Sequence, residues 1–210
     1  MKTKKSQIKK KISKKNPLKN KCVVFDFDQC LMKQHWFSLY KSYNPEEINK
    51  VTVKLDDFGL EKDIIKLFRK LKSKKIKIII ASFGKREIIK HVLKLFTSEG
   101  FKIIDLKNIN GLKKFDIAIS TPSDILVPSG DYYYSDGMKV IGDKNPQLDL
   151  IKKKLHIKNI KKDMIFFDDS PDNINSALES EYIAYQVKPF SKSQGLQQLK
   201  EFFGLDIEIQ

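Results

Sequence analysis

The chain has 210 residues, 40% of them hydrophobic, and a formal net charge of +15 at pH 7. This length suits one domain with a small appendage, and the hydrophobic fraction is enough for a packed core. No apolar run approaches the roughly 18 residues of a membrane span, which argues against a membrane protein and against a membrane partner.

The positive charge is concentrated at the start of the chain. Residues 1–21 hold ten lysines and no acidic residue, which leaves a net +5 for residues 22–210. This composition predicts a disordered basic arm over residues 1–20, without the apolar stretch of a signal peptide. Lysine clusters bind polyanions nonspecifically, so nucleic acid is a candidate partner of the arm. A biased base composition of the genome would explain the lysines without any partner.

Apolar runs and amphipathic segments alternate along the rest of the chain. The apolar runs predict strands at about 22–27, 76–81, 101–104, 115–120, 164–167 and 182–187. The amphipathic segments predict helices at 61–73, 87–96, 146–155 and 194–203, with one more helix beginning at Ser170 and Pro171. Such alternation is typical of a parallel sheet in a three-layer α/β sandwich with a Rossmann-like core.

Two stretches interrupt this alternation. Residues 33–60 are mixed, and the spacing of Trp36 and Tyr40 indicates a short helix. Residues 106–143 contain several prolines and glycines around Tyr132–Tyr134, and they predict a small hairpin or loop insert. The prolines and glycines favour a loop over a separate domain.

Two of the apolar runs end in paired carboxylates. Asp26 and Asp28 follow the first run, and Asp168 and Asp169 follow the run at 164–167. Ligands of an open parallel sheet bind at the carboxyl ends of its strands, so neighbouring strands would bring the four carboxylates together. Such a cluster needs a cation, because repulsion would otherwise raise some of the pKa values, and oxygen ligands favour Mg²⁺.

Two more polar residues stand in comparable positions: Ser82 follows the run at 76–81, and Lys144 precedes the helix at 146–155. With them, the chain resembles the haloacid dehalogenase (HAD) superfamily of aspartate-nucleophile phosphatases. The four motifs of that superfamily occur here in order, as Asp26-Phe27-Asp28, Ser82, Lys144 and Asp168-Asp169. The resemblance implies a phosphatase, a hydrolase of phosphoric monoesters, with a HAD-like catalytic domain over residues 21–210.

The resemblance also implies a role for each motif residue. Asp26 would be the nucleophile and form an aspartyl phosphate, while Asp28 would give a proton to the leaving group and later take one from water. Ser82 and Lys144 would bind the phosphoryl group, and Asn173 would help to orient the last motif. The residues implied to hold Mg²⁺ are Asp26, Asp28 through its backbone carbonyl, Asp169 and, in support, Asp168.

The chain departs from the superfamily pattern directly after the first motif, where Gln29 and Cys30 replace the usual glycine and threonine. Gln29 lacks the backbone freedom of glycine, and the thiol of Cys30 is a poorer hydrogen-bonding group than a hydroxyl. The departure leaves a catalytically inactive phosphate- or phosphoprotein-binding module as an alternative. The second aspartate, Asp28, favours phosphatase over dehalogenase chemistry.

The short stretch between Asp28 and Ser82 and the modest insert leave room for a minimal cap over the site or none. Within this superfamily an open site goes with macromolecular substrates, so a phosphoprotein or another large phosphorylated molecule is expected. A polynucleotide-end phosphatase is the alternative that the basic arm suggests. The three histidines show no metal-ligand spacing. The two cysteines are too few for a disulfide framework, so the expected compartment is the cytoplasm or the nucleus.

Overall fold

Six apolar runs form one parallel β-sheet in the computed structural model, which describes residues 21–109, 114–125 and 144–208. The strands are β1 (Cys22–Phe25), β2 (Lys77–Ala81), β3 (Ile103–Asp105), β4 (Ile117–Ser120), β5 (Met164–Asp168) and β6 (Ile183–Gln186). Their order across the sheet is β3-β4-β2-β1-β5-β6, and every neighbouring pair is parallel.

Helices cover both faces of this sheet. They are α1 (Trp36–Tyr40), α2 (Pro45–Lys50), α3 (Asp63–Ser73), α4 (Arg86–Ser98), α5 (Asn145–Leu155), α6 (Ile160–Asp163), α7 (Pro171–Glu179) and α8 (Leu196–Phe203). The buried side chains of α3, α4 and α8 pack on one face, and those of α5 and α7 pack on the other. The predicted three-layer α/β sandwich is confirmed.

The central strands are apolar throughout because both of their faces are buried. In β1, Val23 and Phe25 belong to the core under α3 and α4, whereas Cys22 and Val24 belong to the core under α5 and α7. Successive strand residues point to opposite faces, so a strand covered on both sides needs a continuous apolar run. The same pattern explains why these strands could be found in the sequence.

The register of β1 sets the level of the functional residues. Phe25 pairs with Ile80 of β2 on one side and with Phe167 of β5 on the other. Asp26, one residue later, therefore stands level with the last residues of both neighbouring strands. The chain leaves β1 for β2 on one side and later returns to β5 on the other, which makes the topological switch point where open α/β sheets bind ligands.

The mixed stretch after β1 forms a small excursion, residues 33–57, which we call the flap segment. Its two ends are joined, because Lys33 N–H donates to Asp57 O at 2.8 Å beside an antiparallel bridge between Met32 and Phe58. The segment carries α1 and α2 and packs on α4, where His91 Nε2 lies 2.8 Å from the carbonyl oxygen of Val51. The short helix predicted near Trp36 is α1.

The strand predicted at 115–120 is confirmed as β4, so part of the segment predicted as an insert belongs to the sheet. β4 lies within residues 106–143 and pairs with both β2 and β3. The basic arm predicted over residues 1–20 and the Tyr132–Tyr134 stretch lie outside the described residues.

The described residues bear on two expectations from the sequence, which concern membrane spans and disulfides. None of the helices there has both the length and the apolar composition that crossing a bilayer requires. Cys22 and Cys30 are buried and form no disulfide.

Candidate active site

The turn after β1 presents the first aspartates at the carboxyl edge of the sheet. Asp26 continues the ladder, since its N–H donates to Phe167 O at 2.8 Å. The chain then makes a wide turn, in which Leu31 N–H donates to Asp26 O at 3.2 Å and Met32 N–H donates to Phe27 O at 2.9 Å. These bonds span five residues, so the carboxylate of Asp26 is fixed between an apolar strand and a closed turn.

Lys144 places one cation at the centre of the site. The side chain is 1% exposed, and Nζ lies 2.5 Å from Asp26 Oδ1 and 3.8 Å from Asp168 Oδ2. Nζ also donates to the carbonyl oxygen of Ala81 at 2.7 Å and lies 4.3 Å from the centre of the Phe83 ring. Burial alone would lower the pKa of Lys144, but the charges of Asp26 and Asp168 outweigh that effect and raise it. Lys144 is therefore charged at neutral pH.

Asp168 is held in one orientation by the start of α7. Asn173 Nδ2 donates to both carboxylate oxygens of Asp168, at 3.0 and 3.1 Å, and Ser170 N–H donates to Oδ1 at 2.9 Å. The hydroxyl of Ser170 caps α7, as the sequence predicts, by accepting from Asn173 N–H at 3.5 Å. Asn173 thus contacts the last motif directly.

Three carboxylates at the ends of β1 and β5 can share one ion. Asp26, Asp168 and Asp169 each offer an oxygen, and these atoms lie within 4.8 Å of one another. Burial raises the pKa of Asp26 well above its usual value, against the opposing charge of Lys144, and burial followed by the charge of Asp168 raises the pKa of Asp169. One ammonium does not balance three partly or fully buried carboxylates. An all-oxygen set with excess negative charge fits Mg²⁺.

Asp28 lies outside that group of three and faces the flap segment. Its Oδ1 accepts from Phe37 N–H at 3.0 Å, at the start of α1, and lies 3.7 Å from His35 Nδ1. Burial raises the pKa of Asp28, although the Phe37 N–H and His35 act in the opposite direction. Sequence reasoning gave His35 no place in the site. The contact depends on how the flap segment folds back, which no spacing in the sequence indicates.

Ser82 and Gly84 line the gap next to Asp28. Ser82 is buried, and its Oγ accepts from Gly84 N–H at 2.9 Å. A Cβ on Gly84 would lie 3.2 Å from Ser82 Oγ and 3.4 Å from Asp28 Oδ2. Glycine therefore keeps open the space between the two side chains predicted to face the phosphoryl group. Gly84 was not identified from the sequence, although it stands two residues after Ser82.

Gln147 is a further polar residue that sequence reasoning missed. It is buried one turn after Lys144, and its Nε2 donates to the carbonyl oxygens of Ser82 and Ser120, at 3.2 and 3.1 Å. The amide thereby ties the start of α5 to the ends of β2 and β4. Nothing in the sequence around Gln147 distinguishes it from a solvent-facing helix residue.

The departure from the superfamily pattern preserves the turn after Asp28. Gln29 has a φ of 55°, the left-handed conformation that glycine adopts without strain. Burial raises the pKa of the Cys30 thiol well above its usual value, so the thiol keeps its proton, and Sγ donates to Phe167 O at 3.4 Å. Neither replacement removes a polar group from the cluster.

The predicted site residues thus meet at one edge of the sheet. Asp26, Asp168 and Asp169 surround a common space, Lys144 touches two of them, and Asn173 supports the cluster. Ser82 and Asp28 lie together across Gly84. Their catalytic roles stay predictions.

Comparison with known proteins identifies a family to which the chain is similar. A family model described as Acid Phosphatase matches residues 19–198. The HAD domain of an effector protein from Legionella pneumophila is 13% identical, with a TM-score of 0.48, and the match covers 88% of this chain and 92% of that chain. A HAD-superfamily hydrolase from Ehrlichia chaffeensis is 15% identical, with a TM-score of 0.45 and coverage of 87% and 95%.

A beta-phosphoglucomutase from Clostridium difficile is 12% identical, with a TM-score of 0.45 and coverage of 88% and 97%. These structural likenesses are too remote in identity and TM-score to assign an activity. No curated protein sequence matches the chain. The family match, in contrast, covers every motif residue from Asp26 to Asn173.

Proposed function

Because the chain belongs to the acid phosphatase family, as its HAD-like motifs predicted, we propose that it hydrolyses phosphate monoesters with Mg²⁺ and through an aspartyl phosphate on Asp26. The observation that carries this proposal is the pairing of Lys144 with Asp26 inside a cluster of three carboxylates at the switch point of the sheet. A buried carboxylate beside one cation, with oxygens available for a second cation, suits attack on a phosphate dianion.

The residues that would hold Mg²⁺ are Asp26, Asp168, Asp169 and the backbone carbonyl of Asp28. When bound, the ion would neutralise the repulsion between a carboxylate and the phosphate dianion. Lys144 would keep Asp26 oriented through the 2.5 Å contact and stabilise the charge that spreads over the phosphoryl oxygens.

In the first step, an oxygen of Asp26 would form a bond to phosphorus while the bond from phosphorus to the leaving oxygen breaks. Asp28 would supply the proton that the leaving oxygen takes up, and burial raises the pKa of Asp28, which is the direction that a proton donor requires. The Ser82 hydroxyl accepts from Gly84 N–H, which leaves its own hydrogen for a phosphoryl oxygen.

In the second step, Asp28 would take a proton from water as that water attacks phosphorus. The bond between phosphorus and the Asp26 oxygen breaks, inorganic phosphate leaves, and the carboxylate is restored. The oxygen and one hydrogen of the water end in the phosphate, and its other hydrogen protonates Asp28 again, so the cycle returns the enzyme to its starting state without net release of a proton.

We propose a phosphoprotein or another large molecule as the substrate. The support is the small size of the flap segment, whose helices α1 and α2 pack on α4. A polynucleotide end is the alternative substrate. Turnover of a phosphopeptide and of a 3′-phosphorylated oligonucleotide at equal concentration would separate the two.

The proposal is tested with an aryl phosphate and Mg²⁺. We expect metal-dependent hydrolysis by the native chain and loss of at least about 10³-fold in kcat for Asp26→Asn, because the amide oxygen is a poor nucleophile. The exposed Asp172→Asn is the matched control, since Asp172 lies near the site but outside the cluster, and its kcat should stay within twofold. Equal turnover by Asp26→Asn and the native chain would refute the mechanism.

A further inference from the structure

The amino-terminal edge of the sheet, opposite the candidate active site, is lined with lysines. In a parallel sheet every strand begins at the same edge, and five adjacent strands here are each preceded by lysine within three residues. We call this set the basic edge: Lys21, Lys74, Lys75, Lys102, Lys114 and Lys162. Five of the six side chains are exposed, and Lys21 is half-buried.

The spacing of the strands turns these lysines into a row. Neighbouring strands lie about 4.8 Å apart, so the starts of the five strands from β3 to β5 span about 19 Å. A row of that length is long enough to contact several successive phosphates of one nucleic-acid strand.

Ion pairs do not neutralise the lysines of the basic edge. Within the described residues, none of its six lysines forms an ion pair. Three nearby carboxylates already hold other cations: Asp116 pairs with Lys72, Glu181 with Lys161, and Glu99 with Arg69. Asp163 lies just before β5, and the exposed Asp206 and Glu208 follow Phe203, whose ring lies 5.7 Å from Lys21 Nζ, so these carboxylates are left to offset part of the positive charge.

A neighbouring helix extends the same charge. Helix α5 runs back from the active site to this edge, and its last turn contributes Lys152 and Lys153 to a cleft of about 460 Å³ that Lys158 also lines.

We propose that the basic edge binds nucleic acid through its phosphate backbone, without reading its sequence, as an anchoring site separate from the active site. Lysine acts as a point charge toward phosphate, whereas base-specific contacts draw on the bidentate guanidinium of arginine. This inference does not depend on the proposed function.

A lipid surface fits this edge less well than nucleic acid. Binding in a membrane interface needs apolar side chains that enter the headgroup region. In the described part of the chain, the exposed large apolar side chains are Leu39 and Tyr43 in the flap segment, Leu178 on α7 and Tyr185 on β6. Of these four, Leu178 in the last turn of α7 reaches the amino-terminal edge of the sheet, and a single apolar side chain gives little insertion into a headgroup region.

The basic edge and the candidate active site lie at opposite edges of the sheet. Lys21 and Asp26 stand at opposite ends of β1, five residues apart, which corresponds to about 17 Å in an extended strand. A nucleic acid on the basic edge therefore leaves the cleft around Asp26 free.

The test measures binding of a fluorescent single-stranded RNA with no terminal phosphate to the full chain, by anisotropy at several KCl concentrations. In the triple variant Lys74→Gln, Lys75→Gln, Lys102→Gln, we expect about tenfold weaker binding at low salt. The slope of log K against log salt should also fall by about two, because each phosphate contact on a single strand contributes about 0.7. The Asp26→Asn variant should bind RNA as the native chain does.

A second triple variant controls for net charge. Lys50→Gln, Lys54→Gln and Lys62→Gln remove three exposed lysines in and beside the flap segment, and this variant should keep its affinity within twofold. Equal losses in the two triple variants, or no loss in either, would overturn the proposal. So would binding to phosphatidylserine vesicles without binding to RNA, or loss of RNA binding in Asp26→Asn.

Discussion

At the scale of single residues, Lys144 supplies the positive charge that stabilises the carboxylate cluster. A lysine this deeply buried is unfavourable unless it is paired, and here the charges of Asp26 and Asp168 keep it protonated. Removing the ammonium leaves Asp26 without its nearest cation. It also removes the charge that would stabilise a phosphoryl group in transfer.

We therefore expect Lys144→Met to lower kcat for an aryl phosphate by about 10²–10³-fold, the usual loss when one preorganised electrostatic group is removed. Lys153→Met on the same helix is the control, because Lys153 is exposed and lies in the last turn of α5, at the end opposite to Lys144. Its kcat should stay within twofold. Lys144→Met activity within threefold of the native value would show that Lys144 has no part in the chemistry.

Gln29 adopts a backbone conformation that favours glycine. At a φ of 55° a side chain costs about 1–2 kcal/mol relative to glycine, and this cost outweighs the roughly 0.4–1 kcal/mol of extra chain entropy that glycine has when unfolded. Gln29→Gly should therefore raise the free energy of unfolding by about 0.5–1 kcal/mol in urea titrations.

Gln197→Gly is the matched control for Gln29→Gly, because Gln197 lies exposed in the first turn of α8, where glycine costs about 0.5–1 kcal/mol. The same substitution should thus stabilise at one position and destabilise at the other. Destabilisation at both would mean that Gln29 makes compensating contacts.

Residue types and motif order could predict which side chains meet at this edge of the sheet, whereas the residues that surround them could not be predicted. Asp26, Ser82, Lys144 and Asp168 each follow or precede an element that the apolar pattern indicates. The contact of His35 with Asp28 joins elements whose relative placement depends on tertiary packing, and so do the bonds that Gln147 makes to Ser82 and Ser120.

At the scale of elements, Arg86 joins the start of α4 to the ends of β3 and β4. Its guanidinium lies 2.9 Å from Asp105 and 2.7 Å from Asp124, and it also donates to Thr121 at 2.5 Å. Burial alone would raise the pKa of Asp105, but hydrogen bonds from Lys90 and Arg86 outweigh it and lower that pKa. The cluster holds the chain just after β4 against α4.

We expect Arg86→Met to reduce the free energy of unfolding by about 3–5 kcal/mol at pH 7, because two buried carboxylates lose their shared cation. A carboxyl group with a lowered pKa in the folded state stabilises the protein at neutral pH, and this contribution disappears as the pH falls through that pKa. The difference between the native chain and Arg86→Met should accordingly hold from pH 7 down to about pH 4, the ordinary pKa of an aspartate, and shrink below it.

Arg69→Met provides the control for Arg86→Met, since Arg69 is the other arginine of the chain and pairs with Glu99 at the surface. Exposed pairs contribute about 0–1 kcal/mol, so this variant should unfold nearly as the native chain does. Similar losses for both arginines would contradict the assignment of Arg86 as the buried link.

The length of an element explains how well the sequence predicts it. Helices α3 and α4 extend over 11 and 13 residues, long enough for the helical repeat of apolar residues to show. Helices α1 and α2 have 5 and 6 residues, and β3 has 3, so tertiary contacts rather than a repeat determine them. The mixed appearance of residues 33–60 follows from these short elements.

At the scale of the whole molecule, the parallel sheet could be predicted because strands and helices alternate, but the strand order could not. That order depends on which strand pairs with β1, and apolar runs of similar composition carry no such information. The place of β4 between β3 and β2 is one such case, because the apolar run at 115–120 predicts the strand without indicating which strands it pairs with.

The described fold begins at Lys21, and the residues before it have no apolar periodicity. We expect deletion of residues 2–20 to leave the midpoint of thermal unfolding and the turnover of an aryl phosphate unchanged, because the composition of this segment predicts no packed structure. Deletion of residues 196–208 is the contrasting control, since Leu196 and Leu199 are buried in the core and their loss should destabilise the fold. A large loss of stability on removing residues 2–20 would show that the arm packs on the domain.

The central claim is that Asp26 becomes phosphorylated during turnover, and trapping that species tests it most directly. The native chain and Asp28→Asn would be mixed with Mg²⁺ and p-nitrophenyl phosphate, quenched in acid, digested and analysed by mass spectrometry. We expect one hydroxylamine-labile phosphoryl group on the peptide that contains Asp26, and a larger amount of it in Asp28→Asn. That variant lacks the base for the second step, whereas an aryl leaving group needs little help from an acid in the first step. Turnover with no phosphoryl group on Asp26, or with the group on another residue, would contradict the claim.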